Sequence, residues 1–227
     1  MHPNLIRLLN AAKALGPLKE QVVFVGGATT TLYLDQSKLS DIDARQTGDV
    51  DYIVEVTNLR KYQKLEEELR NLGFTPVEDM ICRFQKGDII IDMMPIDENI
   101  LGFSNRWYKE GIINSYAVTV KDEEIRILTF PYFLTTKLEA FKGRGNGDYY
   151  GSKDMEDIIT VLEGRPQWLF ELKNTPPNLF SYIKTEFVFH LKNEAFVQCI
   201  TGHLSKNGNL RSKANKILAE LKDLISL

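Results

Sequence analysis

Three aspartates in this 227-residue chain stand where carboxylates are costly to place. Asp49 and Asp51 open the run Asp49-Val50-Asp51-Tyr52-Ile53-Val54, and Asp92 lies inside Ile89-Ile90-Ile91-Asp92-Met93-Met94. Side chains alternate along a strand, so Asp49 and Asp51 project from one face, about 7 Å apart along the chain. Like charges so placed repel unless a cation lies between them, and hard divalent ions with oxygen ligands serve that purpose. Asp92 is a lone acid in an apolar run, expensive to bury unless paired or bound to metal; an exposed edge-strand position is the alternative. Upstream, Val22-Val23-Phe24-Val25 runs into Gly26-Gly27. A buried strand ending in two glycines can turn sharply and leave its N–H groups open to a phosphate near the next helix start. A phosphate cradle beside a carboxylate pair points to Mg²⁺, or Mn²⁺ in its place, and to a nucleoside triphosphate.

Asp41-Ile42-Asp43 has the same spacing and lies closer to the glycines, but Ala44-Arg45-Gln46-Thr47-Gly48 behind it does not read as a strand. Asp41 and Asp43 are therefore assigned to a solvated loop, and the metal-binding face to Asp49 and Asp51.

The ordered combination of Gly26-Gly27 with Arg45-Gln46-Thr47-Gly48-Asp49-Val50-Asp51 resembles the nucleotidyltransferases of the DNA polymerase β superfamily, and within them the AbiEii abortive-infection toxin branch. The resemblance covers about residues 21–165. It implies that Asp92 completes a metal triad with Asp49 and Asp51, and that two Mg²⁺ ions serve the transfer of a nucleoside monophosphate from a triphosphate to an acceptor hydroxyl. It also implies a bacterial toxin that acts on tRNA or another macromolecule, a protein acceptor included, and is restrained by a cognate antitoxin. A small-molecule nucleotidyltransferase of the antibiotic-modifying kind, and a non-catalytic nucleotide-binding regulator, remain alternatives.

Further candidates surround the acids. Thr29 could add a hydroxyl to the phosphate cradle or simply cap the following helix. Arg45 could hold a triphosphate as a planar cationic fork or stand solvated at the surface, and Thr47 lies just before the acids. Phe133, Lys137 and Phe141 share one helical face, so the Lys137 ammonium emerges from an apolar stripe, where a lysine snorkels or meets an anion. The resemblance makes that anion a triphosphate and gives Lys137 a catalytic place beside Asp49, Asp51 and Asp92. Asp154 and Asp157, one turn apart after the Ser152 cap, could orient Lys137 or contact the acceptor. Asp157 and Lys153 join Gly26, Gly27, Thr29, Arg45 and Thr47 in the candidate substrate-binding set. The aromatic stretch Ile100–Tyr108 could stack a nucleobase or pack beneath the sheet.

The elements that must position these groups read as α+β: a mixed sheet of nucleotidyltransferase type with flanking helices over 1–129, then a helical domain over 130–227. Helices are expected at the N-terminus, at Asn58–Leu72, from Thr29, from Pro131, after Ser152, and over 166–173, 178–191, 194–203 and 209–226. Strands are expected at 22–25, 49–56, 74–77, 81–85, 89–94, 116–120 and 124–128. At 43% apolar and 26% charged residues, the composition is that of a soluble globular protein, and no apolar run approaches the roughly 20 residues of a membrane span. Cys82 and Cys199 lack metal-ligand spacing, and a reducing cytoplasm is expected. The net charge of −3 divides into −5 over residues 1–129 and +2 over 130–227, which fits a metal-dependent enzyme accepting a polyanion.

Overall fold

The structure, a computed structural model, describes residues 1–78 and 80–227. The chain forms two compact units, Met1–Thr29 with Gln46–Thr129, and Thr30–Arg45 with Phe130–Leu227. Residues 30–45, placed with the sheet in the division drawn from sequence, group with the helices of the second unit.

The first unit is built on one seven-stranded mixed sheet. Its strands are β1 (Val22–Val25), β2 (Val50–Val54), β3 (Thr75–Pro76), β4 (Arg83–Lys86), β5 (Ile89–Pro95), β6 (Tyr116–Val120) and β7 (Glu123–Ile127), in the order β3-β4-β5-β2-β1-β7-β6. β1 carries four buried apolar residues and no polar one, the pattern of a strand covered on both faces, and it lies near the middle of the sheet. It runs antiparallel to β2 with Val25 opposite Asp51, and parallel to β7. β2 runs parallel to β5, and β4 and β5 form a hairpin around Gly87-Asp88.

Helix α1 (Pro3–Leu15) starts with proline in its first turn, where the missing N–H has no helical partner to lose. Helix α2 (Leu59–Asn71) is capped by Asn58, whose side chain accepts from the Lys61 N–H, and it buries Tyr62, Leu65 and Leu69. The Tyr62 hydroxyl donates to the Met93 carbonyl, which locks α2 to β5. Short helices α3 (Glu98–Leu101) and α4 (Tyr108–Ile113) bracket the aromatic stretch.

The second unit is helical: α5 (Phe130–Arg144), α6 (Lys153–Gly164), α7 (Trp168–Lys173), α8 (Pro177–Leu191), α9 (Glu194–His203) and α10 (Leu210–Ser226). α5 is buried on nearly every side, from Phe130 through Leu138, so it forms the core about which the others pack. The Ser152 hydroxyl accepts from the Met155 N–H and starts α6 as expected. The helix expected from Thr29 is instead a 3₁₀ segment, Gly27–Tyr33. Three successive threonines contribute to the difference, because β-branching disfavours a sustained α-helix and the Thr29 hydroxyl bonds the Gly26 carbonyl of the turn. Among the described residues no helix is long and apolar enough to cross a membrane.

Candidate active site

The acids of the first unit are gathered by strand register. Asp51 on β2 is the cross-strand partner of Asp92 on β5, and Arg83 on β4 is the partner of Asp92 on its other side. Residues directly opposite project from the same face, and Asp49, just before the start of β2, joins them through Arg83. The Arg83 guanidinium sits between two of the acids: Nε donates to Asp92 Oδ1 at 2.7 Å, and Nη2 donates to Asp92 Oδ2 at 2.7 Å and to Asp49 Oδ2 at 2.6 Å. The hydrogen bonds that Arg83 donates to Asp92, with the charges of Asp92 and Asp49, outweigh burial and hold Arg83 well above its ordinary pKa.

The glycine turn meets the same face. Gly26 has φ of +74°, open to glycine at little cost, and a Cβ built there would fall 1.8 Å from Asp51 Oδ2. The Asp51 carboxylate therefore rests on the bare Cα of the turn. Asn4, fully buried in α1, ties turn to strand: its Nδ2 donates to the Gly27 carbonyl at 3.4 Å, and its Oδ1 accepts from the Thr47 N–H at 3.1 Å. The Thr29 hydroxyl donates to the Gly26 carbonyl and the Thr47 hydroxyl to the Asp49 carbonyl. Both threonines thus brace the site backbone, and Thr29 does so by donating to a carbonyl, not by accepting an N–H as the helix cap weighed from sequence would.

Asp41 closes a 3₁₀ turn (Gln36–Asp41), and both Asp41 and Asp43 are exposed in the second unit, while Asp51 lies on β2 and Asp49 lies one residue before that strand begins, not within it as expected from sequence. In the aromatic stretch Trp107 is buried with Arg106 stacked over its ring at 5.2 Å, while Phe103 is exposed.

The second unit holds a separate buried charge cluster. Lys137 Nζ lies 3.1 Å from Asp154 Oδ1 and 2.6 Å from Asp157 Oδ2. Arg45 grips Asp157 through Nε at 2.8 Å and Nη2 at 2.7 Å, and Arg144 grips Asp154 through Nε at 2.8 Å and Nη2 at 2.9 Å. Burial opposes the Lys137 charge, yet Asp157 and Asp154 outweigh it and hold the ammonium above its usual range. Asp154 is held below the ordinary carboxylate range, because its bonds to Arg144 and the charge of Lys137 outweigh burial. The anion that Lys137 meets is thus a pair of carboxylates on α6, one of the roles foreseen for Asp154 and Asp157. Lys153 is exposed at the first position of α6.

Among the described residues no three His, Cys, Asp or Glu side chains are grouped as metal ligands. The three acids expected to share ions lie on one face, but Arg83 stands between Asp49 and Asp92, and both Asp92 oxygens are taken. The residues present fit a single divalent ion on Asp49 and Asp51 better than the full triad fits two, because Asp49, just before β2, is one-third exposed with only Oδ2 held by Arg83.

No protein-family model matches the chain, and no curated protein matches it. Among solved structures it is similar to an antigenic nucleotidyltransferase-like protein from Paracoccidioides brasiliensis, with a TM-score of 0.52 and 14% identity, covering 87% of this chain and 92% of that one. The fold is therefore α+β and nucleotidyltransferase-like.

Proposed function

We propose that this protein is a metal-dependent nucleotidyltransferase that moves a nucleoside monophosphate from a triphosphate to an acceptor hydroxyl and releases pyrophosphate. The observation that supports the reading is the close approach of the Asp51 carboxylate to the bare Cα of Gly26, a glycine turn of the kind that can offer N–H groups to a phosphate set against a carboxylate. The Gly26-Gly27 turn would offer its N–H groups to the triphosphate, and Asn4 would keep that turn in register with the acid strand. Asp49 and Asp51 would hold the divalent ion. When bound, that ion supplies neutralisation of phosphoryl oxygens and acidifies the attacking hydroxyl.

In this reading the acceptor oxygen forms a bond to the α-phosphorus as the bond from that phosphorus to the α,β-bridging oxygen breaks. The bonding pair leaves with pyrophosphate, and the hydroxyl proton passes to water. Any phosphate contact by Lys137 or Arg45 is made in competition with Asp154 and Asp157, whereas Lys153 carries no ion pair among the described residues. A tRNA or protein acceptor and a cognate antitoxin are supported by the AbiEii-like order of Gly26-Gly27, Arg45, Thr47, Asp49 and Asp51 in the sequence, and a cytoplasmic setting by the two unpaired, buried cysteines Cys82 and Cys199.

Incubation with each α-labelled triphosphate, Mg²⁺ and either total cellular RNA or total protein should transfer label to one of the two and release pyrophosphate. Asp51→Asn should lose transfer by about 10² or more while keeping its circular dichroism spectrum. Full transfer by Asp51→Asn would remove the acid face from the mechanism.

A further inference from the structure

We infer that Arg83 takes the charge role of one of two divalent ions, so that the acid face binds a single ion on Asp49 and Asp51, while Asp92 anchors Arg83 instead of ligating metal. This rests on the acid-site reading above and deepens it. Asp92 gives both oxygens to one guanidinium in a two-bond fork, the geometry in which an arginine and a carboxylate bind most strongly. The same Nη2 reaches on to Asp49 Oδ2, leaving Oδ1 of that residue for another cation. An ion approaching Asp92 would have to break both bonds of the fork and displace a guanidinium that is three-quarters buried and permanently charged.

The charge balance points the same way. Asp49, Asp51 and Asp92 with Arg83 sum to −2, which one divalent ion neutralises; a second ion would leave the protein side of the site at +2 before any substrate arrives. Register makes Arg83 a fixed part of the site. The two-residue turn Gly87-Asp88 pairs Lys86 with Ile89 and so sets Arg83 opposite Asp92. The Nη1 group of Arg83 donates to no protein acceptor among the described residues, so its two hydrogens are left for a phosphoryl oxygen, a contact that a second ion would otherwise make.

The test counts Mn²⁺ bound per chain by electron paramagnetic resonance, without nucleotide and without turnover. Wild type should bind one Mn²⁺, and Asp92→Asn should still bind one. Arg83→Gln should bind two, or bind one at least about tenfold more tightly, because a unit positive charge beside the site has gone. Two ions on wild type would overturn the role of Arg83 while leaving the acid face a metal site. Loss of the ion in folded Asp92→Asn, or unchanged count and affinity in folded Arg83→Gln, would overturn it equally. No ion on wild type or on either variant would overturn both this inference and the acid-site reading. Should Arg83→Gln fail to fold, the wild-type count and Asp92→Asn decide the question alone.

Discussion

A buried ammonium requires anions, and Lys137 has two on α6. What makes the arrangement durable is that each carboxylate also has its own arginine fork, Arg45 on Asp157 and Arg144 on Asp154. The two ends of the cluster differ. Replacing Lys137 by methionine keeps the aliphatic stem and leaves each acid paired, so the expected loss is about 1–2 kcal/mol. Asp157→Ala removes both fork bonds of Arg45 and one of the two carboxylates that meet Lys137, which is expected to cost about 3–5 kcal/mol, as breaking a buried pair does. Urea denaturation of the two variants checks the ranking; a costlier Lys137→Met would mean that the arginines do not carry the acids. The helical face of Phe133, Lys137 and Phe141 was readable from spacing, and so was the pairing of Asp154 with Asp157 across one turn of α6. Arg45 was not readable as a structural partner, because the contact joins residues 112 apart in sequence and no local pattern encodes it.

At the scale of elements, the glycine turn and the acid strand form one unit. Gly26→Ala would force a left-handed backbone on a residue with a Cβ and push that Cβ into the Asp51 carboxylate. The expected cost is about 1–3 kcal/mol, with loss of any Mg²⁺-dependent rise in the melting temperature because Asp51 is displaced. Gly48→Ala is the control: a Cβ there meets nothing within 4 Å, and the melting temperature should barely move. Thermal unfolding of both variants with and without Mg²⁺ separates strain at the turn from a general intolerance of substitution. The strands of the sheet and the helices after residue 130 were legible because periods of 2 and 3.6 are strong signals. Arg83 was overlooked, although a signal existed: counting outward from Gly87-Asp88 places it opposite Asp92. Residues 30–45 were beyond reach, since they carry no period and are held by bonds such as Asp35 N–H to Gly164 O and Asp43 N–H to Ser205 Oγ.

For the whole molecule, reassigning residues 30–45 redistributes charge: the first unit carries 13 basic and 17 acidic residues, a net of −4, and the second 15 and 14, a net of +1. The division read from sequence as −5 and +2 is therefore milder in the folded units, and net charge gives weaker support to polyanion binding by the helices. Stability against acid depends instead on a buried base. His190 on α8 is enclosed by Phe141, Tyr149, Phe187 and Phe196; its Nδ1 meets the Tyr149 hydroxyl at 2.9 Å, and its Nε2 has no partner among the described residues. Burial pushes the imidazole down to about 4; Glu186 opposes that shift and Lys142 adds to it. Because the folded pKa is depressed, the contribution to stability is fully present above the unfolded value near 6.5. It is lost as pH falls from 6.5 through 4, where the unfolded chain takes up a proton that the folded chain refuses. The gap of about 2.5 units corresponds to a loss of about 3 kcal/mol over that window. His190→Gln, which cannot titrate, should have a lower stability at pH 7.5 than wild type, because Tyr149 loses its ring partner and the cage its fit. Its stability should also fall less steeply between pH 6.5 and 4. Urea midpoints measured at half-unit steps across that range give both slopes, and parallel slopes would show that His190 accepts its proton without leaving the cage.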